Sequence, residues 1–144
     1  MNSTIIRFDS LSEREKILRF HKILGRLNEG KASPDEMTLL RDFADKWSSP
    51  RAMAKYGIAL LEGRCIAEDQ AQGLDYMSKA KNDSRCNARI LILLGDEYAK
   101  LGAGMILLAM ECYHKAAVLG DKSAIRICQY AQKEMVLPET PAVA

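Results

Sequence analysis

Helix start and stop signals follow one another along almost the whole chain and leave little room for other secondary structure. Ser12, followed three residues later by Glu15, has the form of a capping box. Ser33-Pro34 and Ser49-Pro50 each combine an N-cap serine with a proline at the first helical position. Apolar residues then recur at spacings of three and four, as they do in amphipathic helices. The sequence therefore predicts an all-α protein.

About seven helices are predicted in this way, and Trp47 is expected to close the core under the first pair. By number they cover about 13–28, 34–47, 51–62, 70–82, 86–100, 105–119 and 122–135. Apolar and polar residues alternate over too few positions to place a strand in the core, and the one β-like stretch, 4–8, is too isolated to form a sheet. Short helices with brief turns leave two architectures open, a compact bundle or a stacked array of helical hairpins.

Two glycines inside predicted helices, Gly57 and Gly95, favour the stacked array. A glycine within a helix costs about 1 kcal/mol relative to alanine, so its presence needs a reason. We expect a partner helix to cross at each glycine, where there is no room for a Cβ. The small residues Ala80 and Ala116 are the expected facing positions.

The surroundings of the two glycines also repeat. Ala52, Ala88 and Ala124 follow one another at intervals of 36 residues and are predicted to open successive units. The first unit then contains Tyr56-Gly57, Leu60, Gly63, Ile66, Asp69, Gly73, Tyr76 and Lys79-Ala80, and the second contains Leu94-Gly95, Tyr98, Gly102, Ala109, Cys112, Lys115-Ala116 and Gly120. The loop between the two helices is predicted to be two residues shorter in the second unit than in the first.

This order of residues resembles the Sel-1-like repeat, a tetratricopeptide-like helical hairpin, over about half of the chain. The resemblance implies an adaptor or scaffold that holds protein complexes together, often in bacteria, with no catalytic motif. We expect one helical-repeat domain over 1–136, built of antiparallel hairpins stacked as a short α-solenoid. Its parts are a degenerate N-terminal hairpin (11–48), two repeats (52–87 and 88–123) and a capping helix (124–135), followed by a flexible tail (137–144).

Stacked hairpins form a continuous concave face that takes a peptide segment of another protein. The candidate partner-binding residues lie away from the expected crossings and are Lys55, Tyr56, Ala59, Arg89, Ile92, Asp96 and Lys100. Packing in the core is the competing interpretation for Tyr56 and Ile92. The sequence thus predicts a non-catalytic interaction module, acting as adaptor, chaperone or inhibitor-like partner of a larger, bacterial protein complex.

A basic stripe on the first helix, Arg19, Lys22 and Arg26, supports the alternative of a nucleic-acid-binding regulator. A solvated helix face is the competing interpretation. The chain has 21 Lys and Arg against 19 Asp and Glu, a net charge of +2, and no strongly basic segment. Charge balance therefore disfavours a nucleic-acid partner.

The apolar face of the first helix, together with Ile5, Ile6 and Phe8, has two interpretations. It is either the seam of a homodimer or part of the core of one chain, because a terminal hairpin has no further repeat to cover it. The sequence leaves both open.

Catalytic and metal-binding patterns are not found. Cys65, Cys86, Cys112 and Cys128 form no CxxC pair, and their spacing does not suit zinc. The segment 25–32 (GRLNEGKA) approaches a phosphate-binding loop but has Ala32 where Ser or Thr is required, so a helix end and turn is predicted there. We expect no enzyme activity, no cofactor and no metal. The longest apolar run, 105–110, is too short to span a bilayer and no signal peptide is apparent, so a cytoplasmic protein is expected.

Overall fold

The computed structural model describes residues 7–134, and all regular structure in that range is helical. The α-helices are α1 (Glu13–Asn28), α2 (Pro34–Lys46), α3 (Pro50–Glu62), α4 (Gln70–Asn82), α5 (Ala88–Lys100), α6 (Ile106–Val118) and α7 (Lys122–Glu134). Short 3-10 turns cover Phe8–Ser10 and Ala103–Met105. The all-α prediction with seven helices is confirmed for this range. The predictions for Ile5, Ile6 and the tail 137–144 lie outside it.

Local capping places most helix starts where the sequence predicts them. The Ser12 hydroxyl accepts a hydrogen bond from the Glu15 amide, and the Glu15 carboxylate accepts one from the Ser12 amide, both at 3.2 Å. Ser33 and Glu36 form a second capping box of the same kind, at 3.1 and 3.0 Å. Pro34 then occupies the first turn of α2, where its missing N–H costs nothing.

Three predicted starts differ from the structure by a residue or two, and the first is α3, which begins at Pro50 rather than Arg51. Helix α5 begins at Ala88 rather than Cys86, because the Asn87 side chain accepts the Ile90 amide at 2.9 Å and so acts as the N-cap. Helix α6 begins at Ile106 because the residues before it form a 3-10 turn. An asparagine cap is as good as serine, so the α5 start was visible in the sequence.

The chain forms two compact units, one ending at Arg85 and the other beginning at Cys86. In the first unit, Phe8, Phe20, Phe43 and Trp47 form an aromatic cluster with ring centroids 4.8 to 6.4 Å apart. The cluster joins the 3-10 turn at Phe8 to α1 and α2. Trp47 lies at the end of α2 and closes this core, as predicted.

Two arginine side chains at the ends of α3 reach α1 in the first unit. The Arg51 guanidinium, at the start of α3, lies 5.9 Å from the Phe20 ring centroid. Just after α3, the Arg64 guanidinium donates to the carbonyls of Leu27 and Asn28 at 3.3 and 2.9 Å. Because these contacts occur in the same order along both helices, α1 and α3 run in the same direction.

The backbones of helices α3 and α4 approach each other closely at Gly57 and Gly73. A Cβ added to Gly57 would lie 2.8 Å from the carbonyl oxygen of Gly73, and one added to Gly73 would lie 2.8 Å from that of Gly57. The predicted crossing at Gly57 is confirmed, but the prediction that Ala80 faces it is wrong. Gly73, Tyr76 and Met77 face Gly57 instead, because the helices cross near the beginning of α4.

The second unit contains α5, α6 and α7, and its helical glycine has a different neighbour. A Cβ added to Gly95 would lie 2.7 Å from Cε1 of the Tyr113 ring, so the missing side chain makes room for an aromatic ring rather than a backbone. The prediction that Ala116 faces Gly95 is therefore wrong. The Tyr113 hydroxyl donates to the Asp96 carboxylate at 2.6 Å and thereby joins α6 to α5.

The hairpins α3–α4 and α5–α6 are two copies of one arrangement. All four helices have 13 residues, and the connection shortens from residues 63–69 to residues 101–105, by two as predicted. Ala52, Ala88 and Ala124, which are predicted to open successive units, do not occupy the same place in their helices. Ala52 and Ala124 are each third in their helix and fully buried, whereas Ala88 is first in α5 and partly exposed. The described residues thus have an all-α helical-repeat fold.

Candidate interaction surfaces

The residues predicted on α3 are divided between core and surface. Tyr56 and Ala59 are only 3% and 2% exposed, and the Tyr56 ring meets the Tyr76 ring edge-on at 5.1 Å. For Tyr56 the competing core interpretation is therefore correct. Lys55 is partly exposed, and burial together with the positive charge of Arg51 lowers the pKa of its ammonium below the usual range. Only Lys55 of these three offers surface to a partner.

The residues predicted on α5 form one side of that helix in the second unit. Arg89, Ile92, Asp96 and Lys100 are spaced by three and four residues, and all but the half-buried Ile92 are exposed. Two of them have partners within their own unit. Asp96 accepts the Tyr113 hydroxyl, and the Lys100 ammonium lies 3.6 Å from the carboxylate of Glu97. Their contact with another protein remains a prediction.

Burial and the hydrogen bond to Asp96 both keep the Tyr113 phenol protonated. Burial first, and then the hydrogen bond and the negative charge of Asp96, raise the pKa of this phenol far above its ordinary range. The Tyr76 phenol is held in the same way by burial and by Asp45, to which it donates at 2.6 Å, and its pKa is raised as well. Both pairs are structural links between helices, and both phenols stay neutral at physiological pH.

The basic stripe on α1 is partly used within its own unit. The Arg26 guanidinium contacts the Glu36 carboxylate at 2.6 Å and donates to the Lys31 carbonyl at 2.7 Å. Arg19 and Lys22 line a groove of about 210 Å³ whose opposite wall includes Asp35 and Glu36. The carboxylates at the start of α2 therefore offset the positive charge of the basic stripe.

The interpretations of the α1 apolar face are resolved in part. Phe8, Phe20, Ile23, Leu24 and Leu27 are buried in the first unit, which is the intramolecular interpretation. Ile17 and Leu18, however, are 51% and 61% exposed. A homodimer through this hairpin remains a prediction. Among the apolar residues of α1, only Ile17 and Leu18 are exposed enough to contact a second copy of the chain.

A second set of exposed apolar side chains was not predicted from the sequence. Leu107 and Val118 on α6 are 69% and 73% exposed, on the face opposite the buried Ala109 and Cys112. Further exposed members in the second unit are Leu119, Ile125 and Tyr130. The sequence does contain a sign of these exposed residues. A helix with one buried side normally has apolar residues on that side only, whereas α6 has them on both sides.

The described residues contain no cluster of three or more His, Cys, Asp and Glu side chains arranged to hold a metal ion. Cys86 and Cys112 are buried, and burial raises the pKa of the half-buried Cys128 thiol. The segment that approaches a phosphate-binding loop is the end of α1 followed by a left-handed turn at Gly30, with φ of +74°. The predicted helix end and turn is confirmed there.

Searches with protein-family models, among curated proteins and among solved structures found no match to this chain. The similarity to Sel-1-like repeats therefore rests on the motif residues and on the repeated hairpin, and membership of that family remains a prediction. Within residues 7–134, no helix combines the length and the apolar content that crossing a membrane requires.

Proposed function

We propose that this chain is a non-catalytic protein-interaction module that acts as an adaptor, chaperone or inhibitor-like partner in a larger protein complex. One observation carries the proposal: large aliphatic side chains stand exposed on outer helix faces of both units. They are Ile17 and Leu18 on α1, and Leu107 and Val118 on α6. Ile17 and Leu18 are adjacent in the sequence, and apolar surface that stays exposed on a folded chain is typical of sites that another protein covers.

The energetics of association agree with this role. Burying an exposed aliphatic side chain contributes about 25 cal/mol for each Å² of apolar surface removed from water. Helical-repeat arrangements present such residues on successive helices, so that a partner segment contacts several at once. A cytoplasmic, bacterial protein of the Sel-1-like family is part of the same proposal, and the motif residues around Gly57 and Gly95 support it.

Co-purification tests the proposal. The tagged full-length chain is recovered from its native cells, and associated proteins are quantified by mass spectrometry. We expect a partner in stoichiometric amount. Its recovery should fall in the double variant Ile17→Ser/Leu18→Ser or in Leu107→Ser/Val118→Ser, because each removes exposed apolar surface without opening a cavity.

The control variant is Gln129→Ser, which changes an exposed polar residue on α7 and should leave recovery unchanged. Thermal unfolding of each variant confirms that the fold is retained. If no protein is recovered in stoichiometric amount under any growth condition, the proposed function is wrong.

A further inference from the structure

In the first unit, α2, α3 and the connection that follows α3 line a cleft of about 440 Å³. Helix α2 contributes Met37 and Arg41, α3 contributes Tyr56, and the connection contributes Cys65 and Ile66. We call this space the Arg41 cleft. Small-molecule sites typically have volumes of about 300–1,000 Å³ and mostly apolar walls with a few polar groups. The Arg41 cleft is therefore large enough to hold a small ligand.

The Tyr56 hydroxyl lies in the core but has no partner there. Tyr56 is only 3% exposed, yet its hydroxyl makes no hydrogen bond with any of residues 7–134. Every fully buried polar side-chain atom in that range does have a hydrogen-bond partner, so this hydroxyl is not sealed in the core. Because Tyr56 lines the Arg41 cleft, the cleft is the open space that its hydroxyl reaches. The hydroxyl is therefore available to donate to a molecule in the cleft.

The Tyr56 ring is held in place by the packing of the first unit. It meets the Tyr76 ring edge-on at 5.1 Å, and the Tyr76 hydroxyl donates to the Asp45 carboxylate at 2.6 Å. Burial raises the pKa of the Tyr56 phenol, and the positive charge of Arg41 opposes this shift. The phenol is therefore a fixed donor that stays protonated at physiological pH, and it lies within range of the charge of Arg41.

Arg41 is the second polar group of the cleft. Its exposed side chain forms no hydrogen bond or ion pair with any other residue in the range 7–134. None of the described residues that line the cleft is acidic. The negative charges of Asp45 and Asp69 act on Tyr56, but Asp45 accepts the Tyr76 hydroxyl and Asp69 caps α4. An anion in the cleft would therefore meet a guanidinium for which no lining carboxylate competes.

From this arrangement we infer that the Arg41 cleft binds a small carboxylate that carries an apolar chain. One carboxylate oxygen would accept from the Arg41 guanidinium and the other from the Tyr56 hydroxyl. The apolar chain would lie against Met37 and Ile66. A free carboxylic acid and the C-terminal residue of a peptide both provide this chemistry. The inference does not rest on the proposed function, because the cleft carries it and the exposed aliphatic residues do not.

Two other kinds of ligand fit less well. A cation would be repelled by Arg41 and would find no carboxylate among the described lining residues. A wholly apolar molecule would displace water from the Tyr56 hydroxyl and would leave this donor without a hydrogen bond, which is unfavourable. Both are outcomes that the experiment distinguishes.

Octanoate is the probe, and its binding to the full-length chain is measured by isothermal titration calorimetry at physiological salt. We expect a single site. Octylammonium and octanol keep the chain without the anion, and acetate keeps the anion without the chain. Each should bind at least about tenfold more weakly than octanoate, since a hydrogen bond to a charged group typically contributes that much.

A short peptide that ends in leucine separates the two sources of the carboxylate. It is used with a free and with an amidated carboxyl end. Displacement of octanoate by the free form alone would identify a peptide terminus as the ligand, and displacement by neither form would identify a free acid.

Cys65 provides a second measurement, because its half-buried thiol lines the cleft. Bound octanoate should slow the alkylation of Cys65 by iodoacetamide, which is followed on its own peptide by mass spectrometry. Cys128 is also half-buried but belongs to the second unit, so its alkylation rate should not change.

Two conservative variants test the two donors. Tyr56→Phe removes a hydroxyl without a partner among the described residues, so the fold should be retained while octanoate binding weakens at least about fivefold. Arg41→Gln should weaken it at least about tenfold, with the fold retained for the same reason. Tyr130→Phe and Arg126→Gln make the same changes at exposed positions of α7 and should leave binding unchanged. Thermal unfolding of each variant confirms that it is folded.

The inference is overturned if octanoate does not bind, or binds no more tightly than octylammonium or octanol. It is also overturned if Tyr56→Phe or Arg41→Gln leaves octanoate binding unchanged, or if Cys65 and Cys128 are protected alike. Co-purification tests the proposed function separately, since neither variant alters the exposed aliphatic residues. Failure of one proposal would therefore leave the other standing.

Discussion

Gly57 and Gly95 are each the eighth residue of a 13-residue helix, yet the missing side chain serves a different purpose in each. At Gly57 it lets the backbone of α4 approach, and at Gly95 it makes room for the ring of Tyr113. The sequence identified both as positions where a Cβ would not fit. It did not identify the neighbours, because these depend on the rotation of each helix about its own axis.

Gly57→Ala should lower the free energy of unfolding by about 1–3 kcal/mol, the usual cost of forcing extra volume into a packed interior. Urea denaturation measures it. The matched control is Gly25→Ala: Gly25 is also helical, but a Cβ there would meet nothing within 4 Å. Because alanine is the better helix former, this control should gain about 0.5–1 kcal/mol. A Gly57→Ala protein as stable as the control would refute the close crossing.

At the scale of helices, the capping residues explain why most bounds were predicted closely. A cap is a contact between residues three apart, so it is encoded locally and is visible in the sequence. The bond between Arg26 and Glu36 is not local in this sense, since it joins α1 to the capping box of α2. Because the partner of Arg26 lies on another helix, the sequence pattern did not show that Arg26 forms an ion pair.

Glu36 links the stability of this helix pair to pH. Burial alone would raise the pKa of its carboxyl group, but hydrogen bonds from the Ser33 amide and the Arg26 guanidinium outweigh burial and lower it. A carboxyl group with a lowered pKa in the folded state stabilises the protein above its unfolded pKa. That contribution is lost as the pH falls through the folded pKa.

Glu36→Gln should therefore lower the free energy of unfolding by about 1 kcal/mol at pH 7, the typical value of a helix cap. The difference from the wild type should shrink as the pH falls below the ordinary carboxyl pKa of 4.5. Urea denaturation across this pH range measures both quantities. A difference that stays constant down to acid pH would show that Glu36 is not ion-paired in the folded state. Ser84→Ala, in an exposed connection, is the control.

For the whole molecule, the net charge of +2 means that no strong field steers polyanions toward it. Of the basic stripe, Arg26 is paired with Glu36, and Arg19 and Lys22 share their groove with carboxylates. The stripe therefore lacks the excess charge from which sequence-independent affinity for DNA arises.

We accordingly expect the full chain to bind duplex DNA no more tightly than about 0.1 mM at physiological salt, the weak end of non-specific binding. Fluorescence anisotropy over a series of salt concentrations measures this. Arg19→Glu/Lys22→Glu should make no detectable difference. Tight binding that weakens steeply with salt, and that this variant abolishes, would instead favour the nucleic-acid-binding alternative.

The sequence by itself determined the all-α class, the helix bounds to within two residues over the described range, and the presence of a repeated hairpin, because caps, periodicity and helical glycines are local signals. The tertiary structure alone decided which residues face Gly57 and Gly95, that Tyr56 and Ala59 are buried, and that Ile17, Leu18, Leu107 and Val118 are exposed. Periodicity shows which side of a helix is apolar. Whether another element covers that side depends on contacts between residues far apart in the chain.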